Sequence, residues 1–69
     1  MAAKPMSDPV IQLNLRLDDD SAWALAQFVK RVRWEHFRAC AVDEQEAHAI
    51  RHGVSRLQEA LAEKGYAPR

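Results

Sequence analysis

Gln12, Asn14 and Arg16 stand at every second position and carry the side chains best suited to reading base edges. Gln and Asn pair bidentately with adenine, and Arg with guanine. The same positions are also what the solvated face of a half-buried strand requires. A second group is basic and aromatic: Lys30, Arg31, Arg33 and Arg38 interleave with Trp34, His36 and Phe37. Such a patch can hold phosphates and stack bases; equally, it is a charged surface flanking core aromatics. A third group pairs His36 with Cys40, and His48 with His52, each four residues apart on a helical face. Three His and one Cys can complete a zinc tetrahedron. Without a Cys-x-x-Cys or His-Glu-x-x-His the spacing is unspecific, so no metal and no cofactor are assigned. Cys40 has no adjacent base and oriented third group to make it a nucleophile, and is expected as a small buried apolar residue. No Gly-rich phosphate loop or nucleophile elbow is present. These features argue against an enzyme.

Sixty-nine residues must position these groups, enough for a single small domain with a marginal core. The organisation expected is an N-terminal arm over 1–9, one domain over 10–66 and a tail over 67–69. Apolar content of 48% with 29% charged residues fits a folded chain. No apolar run exceeds five residues, as in Ala22–Ala26, so no membrane span is expected. The start lacks the apolar stretch of a secretory signal, and a single cysteine excludes an internal disulfide. A cytoplasmic location and a homodimer follow as expectations, since a core this small needs reinforcement. Ten Lys and Arg balance ten Asp and Glu. Only the middle of the chain, residues 21–42, is basic, with Lys30, Arg31, Arg33 and Arg38 against Glu35.

Residues 10–17 alternate: Ile11, Leu13, Leu15 and Leu17 on one face, Val10, Gln12, Asn14 and Arg16 on the other. Period-2 alternation predicts a half-buried strand. No second strand pattern exists, so its partner is expected from another copy. Asp18–Ser21 signal a helix start. The first helix is expected from about Asp19 to Arg33, or on to Phe37, with Ala22, Leu25, Phe28, Val29 and Val32 inside; residues 33–42 are less regular, and either extend this helix or form a separate short turn. Asp43-x-x-Glu46 is a capping box opening a second helix to about Lys64. Ala47, Ile50, Val54, Leu57 and Leu61 recur at spacings of 3 and 4 as a seam. Gly53 lies in mid-helix, where close approach of a neighbouring helix would account for it. Gly65 and Pro68 end the helix. In a dimer the contacts are expected from Ile11, Leu13, Leu15 and Leu17 of the strand and Ile50, Val54, Leu57 and Leu61 of the seam.

This strand-helix-helix order, with Gln12-Leu13-Asn14-Leu15-Arg16, resembles the ribbon-helix-helix (Arc-repressor-like) family of DNA-binding proteins. The resemblance implies a mainly α, β-α-α homodimer with an intermolecular antiparallel two-stranded ribbon entering the major groove. Gln12, Asn14 and Arg16 would read bases in double-stranded DNA, with Lys30, Arg31 and Arg33 on phosphates. The chain departs from that family where its second helix opens with Asp43, Glu44 and Glu46, which repel a phosphate. Leu17–Arg31 and Gly65–Arg69 also resemble uncharacterised small proteins of proteobacterial prophages and integrative elements. Two functions therefore stand: a small dimeric DNA-binding regulator, or a protein-interaction module or inhibitor of the anti-defence type without DNA affinity.

Overall fold

The computed structural model describes residues 10–68. The expected arm over 1–9 and the last residue of the expected tail lie outside them. From residue 18 onward the architecture is set by helix caps. Asp18 is extended and its carboxylate accepts the Ser21 N–H at 2.7 Å. This satisfies one of the free amides of the first turn. Helix α1 follows, Asp19–Arg31.

A straight continuation to Arg33 or beyond does not occur. Val32 and Arg33 are both extended, with ψ of 146° and 169°. A separate helix α2 then spans Trp34–Cys40. His36 fixes the restart: its Nδ1 accepts the Arg33 backbone N–H at 2.9 Å. The irregular stretch 33–42 in the sequence thus conceals a helix of its own.

Helix α3 covers Glu44–Glu63. Asp43 caps it by accepting the Glu46 N–H at 2.8 Å. Glu46 reaches back one residue further than a standard box, accepting from Val42 N–H at 2.9 Å. At the other end Tyr66 N–H bonds the Leu61 carbonyl and Gly65 N–H bonds that of Ala62, both at 2.9 Å. These two bonds form a Schellman motif, with Gly65 at φ 96° in the left-handed region.

The strand is overturned. Among the described residues there are three helices and no strand. Residues 10–17 belong to no helix or strand and make no backbone hydrogen bond to another segment of the described residues. The β-α-α order, the ribbon-helix-helix fold and the ribbon between two copies fall with it. Alternation prescribes which side chains share a face, but a strand also needs a neighbour for its N–H and C=O groups. The described residues contain none.

Helices α1 and α2 both pack on α3, in a body measuring 41 × 27 × 16 Å. The thinnest dimension leaves room for little more than one helix layered on another. Ala22, Ala26, Val29 and Leu61 form the core, with Leu25, Val54, Leu57 and Tyr66 packed around it. Phe37 and Ala47 are buried where α2 meets α3. The α1 stripe differs from expectation at two positions. Ala26 is only 1% exposed, whereas Phe28 is 59% exposed. Ala22, Ala26 and Val29 lie on a narrow arc of α1, and Phe28 lies about 100° beyond Val29. Small side chains at 22 and 26 admit α3 closely. No such approach explains Gly53, where an added Cβ would meet nothing within 4 Å.

Candidate functional site

The extended segment before α1 leaves its aliphatic side chains uncovered. Ile11 is 74% exposed, Leu13 82% and Leu15 61%. Exposure falls to 40% at Leu17, where the chain meets α1. Leu13, Leu15 and Leu17 line a groove of about 360 Å³ with Leu57, Leu61 and Tyr66. The groove lies where the start of α1 meets the end of α3. Gln12, Asn14 and Arg16 are exposed as well. Both sets of alternating side chains therefore face solvent.

The basic residues gather elsewhere. Lys30 and Arg31 close α1, Arg33 stands at the α1–α2 break, and Arg38 lies in the last turn of α2; all four are exposed. Arg31 donates to the Gln27 side chain at 3.0 Å, and Arg38 to the Ala41 carbonyl at 3.5 Å. Helix α1 separates the start of the domain from Lys30 and Arg31 by about 18 Å at 1.5 Å per residue. Gln12, Asn14 and Arg16 are thus not joined with Lys30, Arg31 and Arg33 on one surface at the helix ends. Among the described residues the ion pair is Arg56–Glu59, at 3.3 Å on the surface of α3.

The seam of α3 is turned inward. Leu61 lies in the core, Val54 and Leu57 pack against it, and Ile50 is half-buried. These residues contribute to the fold of the single chain.

The histidines and the cysteine are dispersed in role. The Nδ1 of His36 is taken by the Arg33 amide. The His48 ring lies 4.6 Å from the Trp34 ring, tilted by 42°. His52 and Cys40 are exposed, so Cys40 is not the buried apolar residue expected. Among the described residues no three His, Cys, Asp or Glu side chains assemble as metal ligands. Also among them, no helix is long and apolar enough to cross a membrane.

One arrangement was missed by the sequence reading. The Tyr66 hydroxyl donates to the Asp19 carboxylate at 2.6 Å. Its ring meets Trp23 edge-on, with centroids 4.9 Å apart. The bond to Asp19 raises the Tyr66 pKa above its ordinary value. The chain thereby ties the end of α3 to the first turn of α1. An aromatic directly after the Gly65 stop was the available signal, because that position turns back onto the helix. At the same corner, the Ser21 backbone N–H holds Asp18 below the usual carboxylate pKa, with further help from the Ser21 side chain. Both effects belong to helix ends and to the clasp between them, and carry no catalytic geometry.

Residues 6–69 match DUF7706, a family of unknown function, and the chain belongs to that family. This membership replaces the ribbon-helix-helix assignment. No curated protein and no solved structure matches the chain.

Proposed function

We propose that this DUF7706 chain is a protein-interaction module that docks its extended segment, residues 11–17, on an apolar surface of a protein partner. The supporting observation is the exposure of Ile11, Leu13 and Leu15 at 61–82% in a chain with few large side chains inside. Exposed aliphatic residues grouped in this way mark interaction sites. Seven residues reach at most about 25 Å when fully extended, which bounds the length of the groove they can fill. The uncommitted backbone groups of the segment supply the polar part of the contact, and the aliphatic side chains the apolar part. Neutral net charge fits such a role better than one dominated by phosphate contacts, which depends on an excess of cations.

The test is affinity capture with the tagged full chain beside its L13S/L15S variant. Both positions are exposed, so the variant folds as the parent does, which circular dichroism checks. The expected result is a protein retained directly by the parent and lost by the variant, with the purified pair then binding in isolation. Identical capture by both chains overturns the reading. So does salt-sensitive binding of labelled duplex DNA without any partner that the variant loses.

A further inference from the structure

The outer face of α1 carries a second pattern, independent of the extended segment. Asp20, Ala24, Phe28 and Arg31 are all exposed, while Ala22, Ala26 and Val29 on the opposite side are buried. At about 100° per residue the four exposed positions fall within an arc of about 80°. They therefore form one strip along the helix: an acid, a small residue, a large aromatic and a base. Phe28 is the most exposed aromatic on the helix, at 59%. Beside it lies a groove of about 500 Å³ lined by Ala24, Phe28, Arg31, Val32, His36 and Cys40.

The strip is self-complementary when reversed. Asp20 and Arg31 lie about equally far on either side of the level of Ala26, and so do Ala24 and Phe28. We infer that α1 packs antiparallel against α1 of a second copy about a two-fold axis at that level. Phe28 then covers Ala24 of the partner subunit, and Asp20 faces the partner's Arg31. Each contact occurs twice, as an isologous interface demands. The charge pattern selects the second copy and the orientation together. Acidic Asp19 and Asp20 occupy the first turn of α1, and basic Lys30 and Arg31 the last. Antiparallel pairing sets each acidic end on a basic end and opposes the two helix dipoles. Parallel pairing sets like charges together. Arg31 needs only to exchange its bond to Gln27 for the partner's Asp20. The break at Val32 and Arg33 turns α2 away from the line of α1, and Val32, His36 and Cys40 become the floor beside the partner's first turn. A single helix pair buries less than a standard interface, so the dimer is weak and dissociates on dilution.

Sedimentation of the purified full chain over a concentration series tests this. The parent is expected to pass from monomer to dimer as concentration rises. F28S is expected to remain monomeric with unchanged helicity, because the phenyl group is mainly exposed in the single chain. R31D sets two acids together in each contact and is expected to weaken association about tenfold or more; D20R does the same with two bases. The double variant D20R/R31D restores the pairs with reversed sign and is expected to dimerise within about threefold of the parent. L13S/L15S is expected to dimerise as the parent does, which separates this surface from the protein-docking segment. A parent that stays monomeric throughout overturns the inference. Dimerisation indifferent to F28S, or a double variant no better than R31D, overturns it too, as does association lost in L13S/L15S and kept in F28S.

Discussion

The same chemical change, glycine to alanine, is expected to move stability in opposite directions at the two glycines of this chain. At Gly53 the backbone is helical, and an added Cβ meets nothing within 4 Å. Alanine there narrows the unfolded ensemble and removes the cost of glycine in a helix interior. The gain is about 0.5–1 kcal/mol. At Gly65 the space is equally open, but φ is 96°. Sterics with neighbours therefore contribute nothing, and the cost comes from the left-handed backbone alone, about 1–2 kcal/mol for an L side chain. The Schellman bonds from Gly65 and Tyr66 hold the backbone there, so the strain cannot relax without releasing the end of α3. For a domain of this size 1 kcal/mol moves Tm by about 4–8 °C. G53A is thus expected to raise Tm by about 2–8 °C, and G65A to lower it by about 4–16 °C. Thermal unfolding followed by circular dichroism at one fixed protein concentration reads both. A lower Tm for G53A would refute the reasoning at that site: something would have to close on Gly53 that the single chain does not contain. An unchanged Tm for G65A would refute the role assigned to the positive φ.

Burial predicts a second contrast. Leu61 is 7% exposed in the core cluster and Leu13 82% exposed, so L61A is expected to cost about 2–5 kcal/mol and L13A less than about 0.5; urea unfolding that ranks them equally would refute the core assignment. The clasp predicts a pH dependence. Donation to Asp19 raises the Tyr66 pKa above 10.0, so the contribution of the bond is complete below that value and lost as pH rises through the folded-state pKa. Ultraviolet titration of this single tyrosine should show ionisation above the ordinary value in the parent and a return toward it in D19A; identical curves would refute the contact. Asp18 runs the other way. Its pKa is lowered from 3.8, so its capping contribution is complete above that value and lost as pH falls through the folded-state pKa. The Tm difference between parent and D18A should shrink in that acid range, and a constant difference would refute the cap.

The parts of the fold written in local chemistry were legible in the sequence. Asp18 before an acidic first turn, Asp43 three residues before Glu46, and Gly65 after the last apolar position each act through a hydrogen bond or a dihedral that spans only a few residues. The 3-and-4 spacing of Ala47, Ile50, Val54, Leu57 and Leu61 likewise marks the face of α3 that turns inward. What was illegible depends on partners distant in sequence. The alternation over 10–17 specifies two faces but not whether any strand adjoins them, and among the described residues none does. The interruption at Val32 and Arg33 carries no proline or glycine; it rests on the His36 side chain returning to the Arg33 amide. Phe28 reads as core by hydropathy, yet the close contact of α1 with α3 selects alanine over phenylalanine. The bond from Tyr66 to Asp19 joins residues 47 apart, beyond the reach of any periodicity.

That choice of alanine links the fold to its surfaces. Among the described residues, half of the six buried apolar ones are alanines, Ala22, Ala26 and Ala47. An alanine pair brings two helices close but removes little apolar area from water, whereas a buried Leu, Val or Phe contributes about 1.5–3 kcal/mol. The large side chains that could have supplied that area, Ile11, Leu13, Leu15 and Phe28 among them, are outside. They are not scattered. Apart from Val42 between α2 and α3, the aliphatic ones share the segment before α1, and Phe28 stands between an acid and a base on the outer strip of α1. A core half built of alanine leaves two separate apolar sites outside, the one proposed to meet a foreign protein surface and the other its own reversed copy. Filling either site withdraws from water the area that the single chain leaves exposed, so each association should stabilise the helices as well as join the molecules.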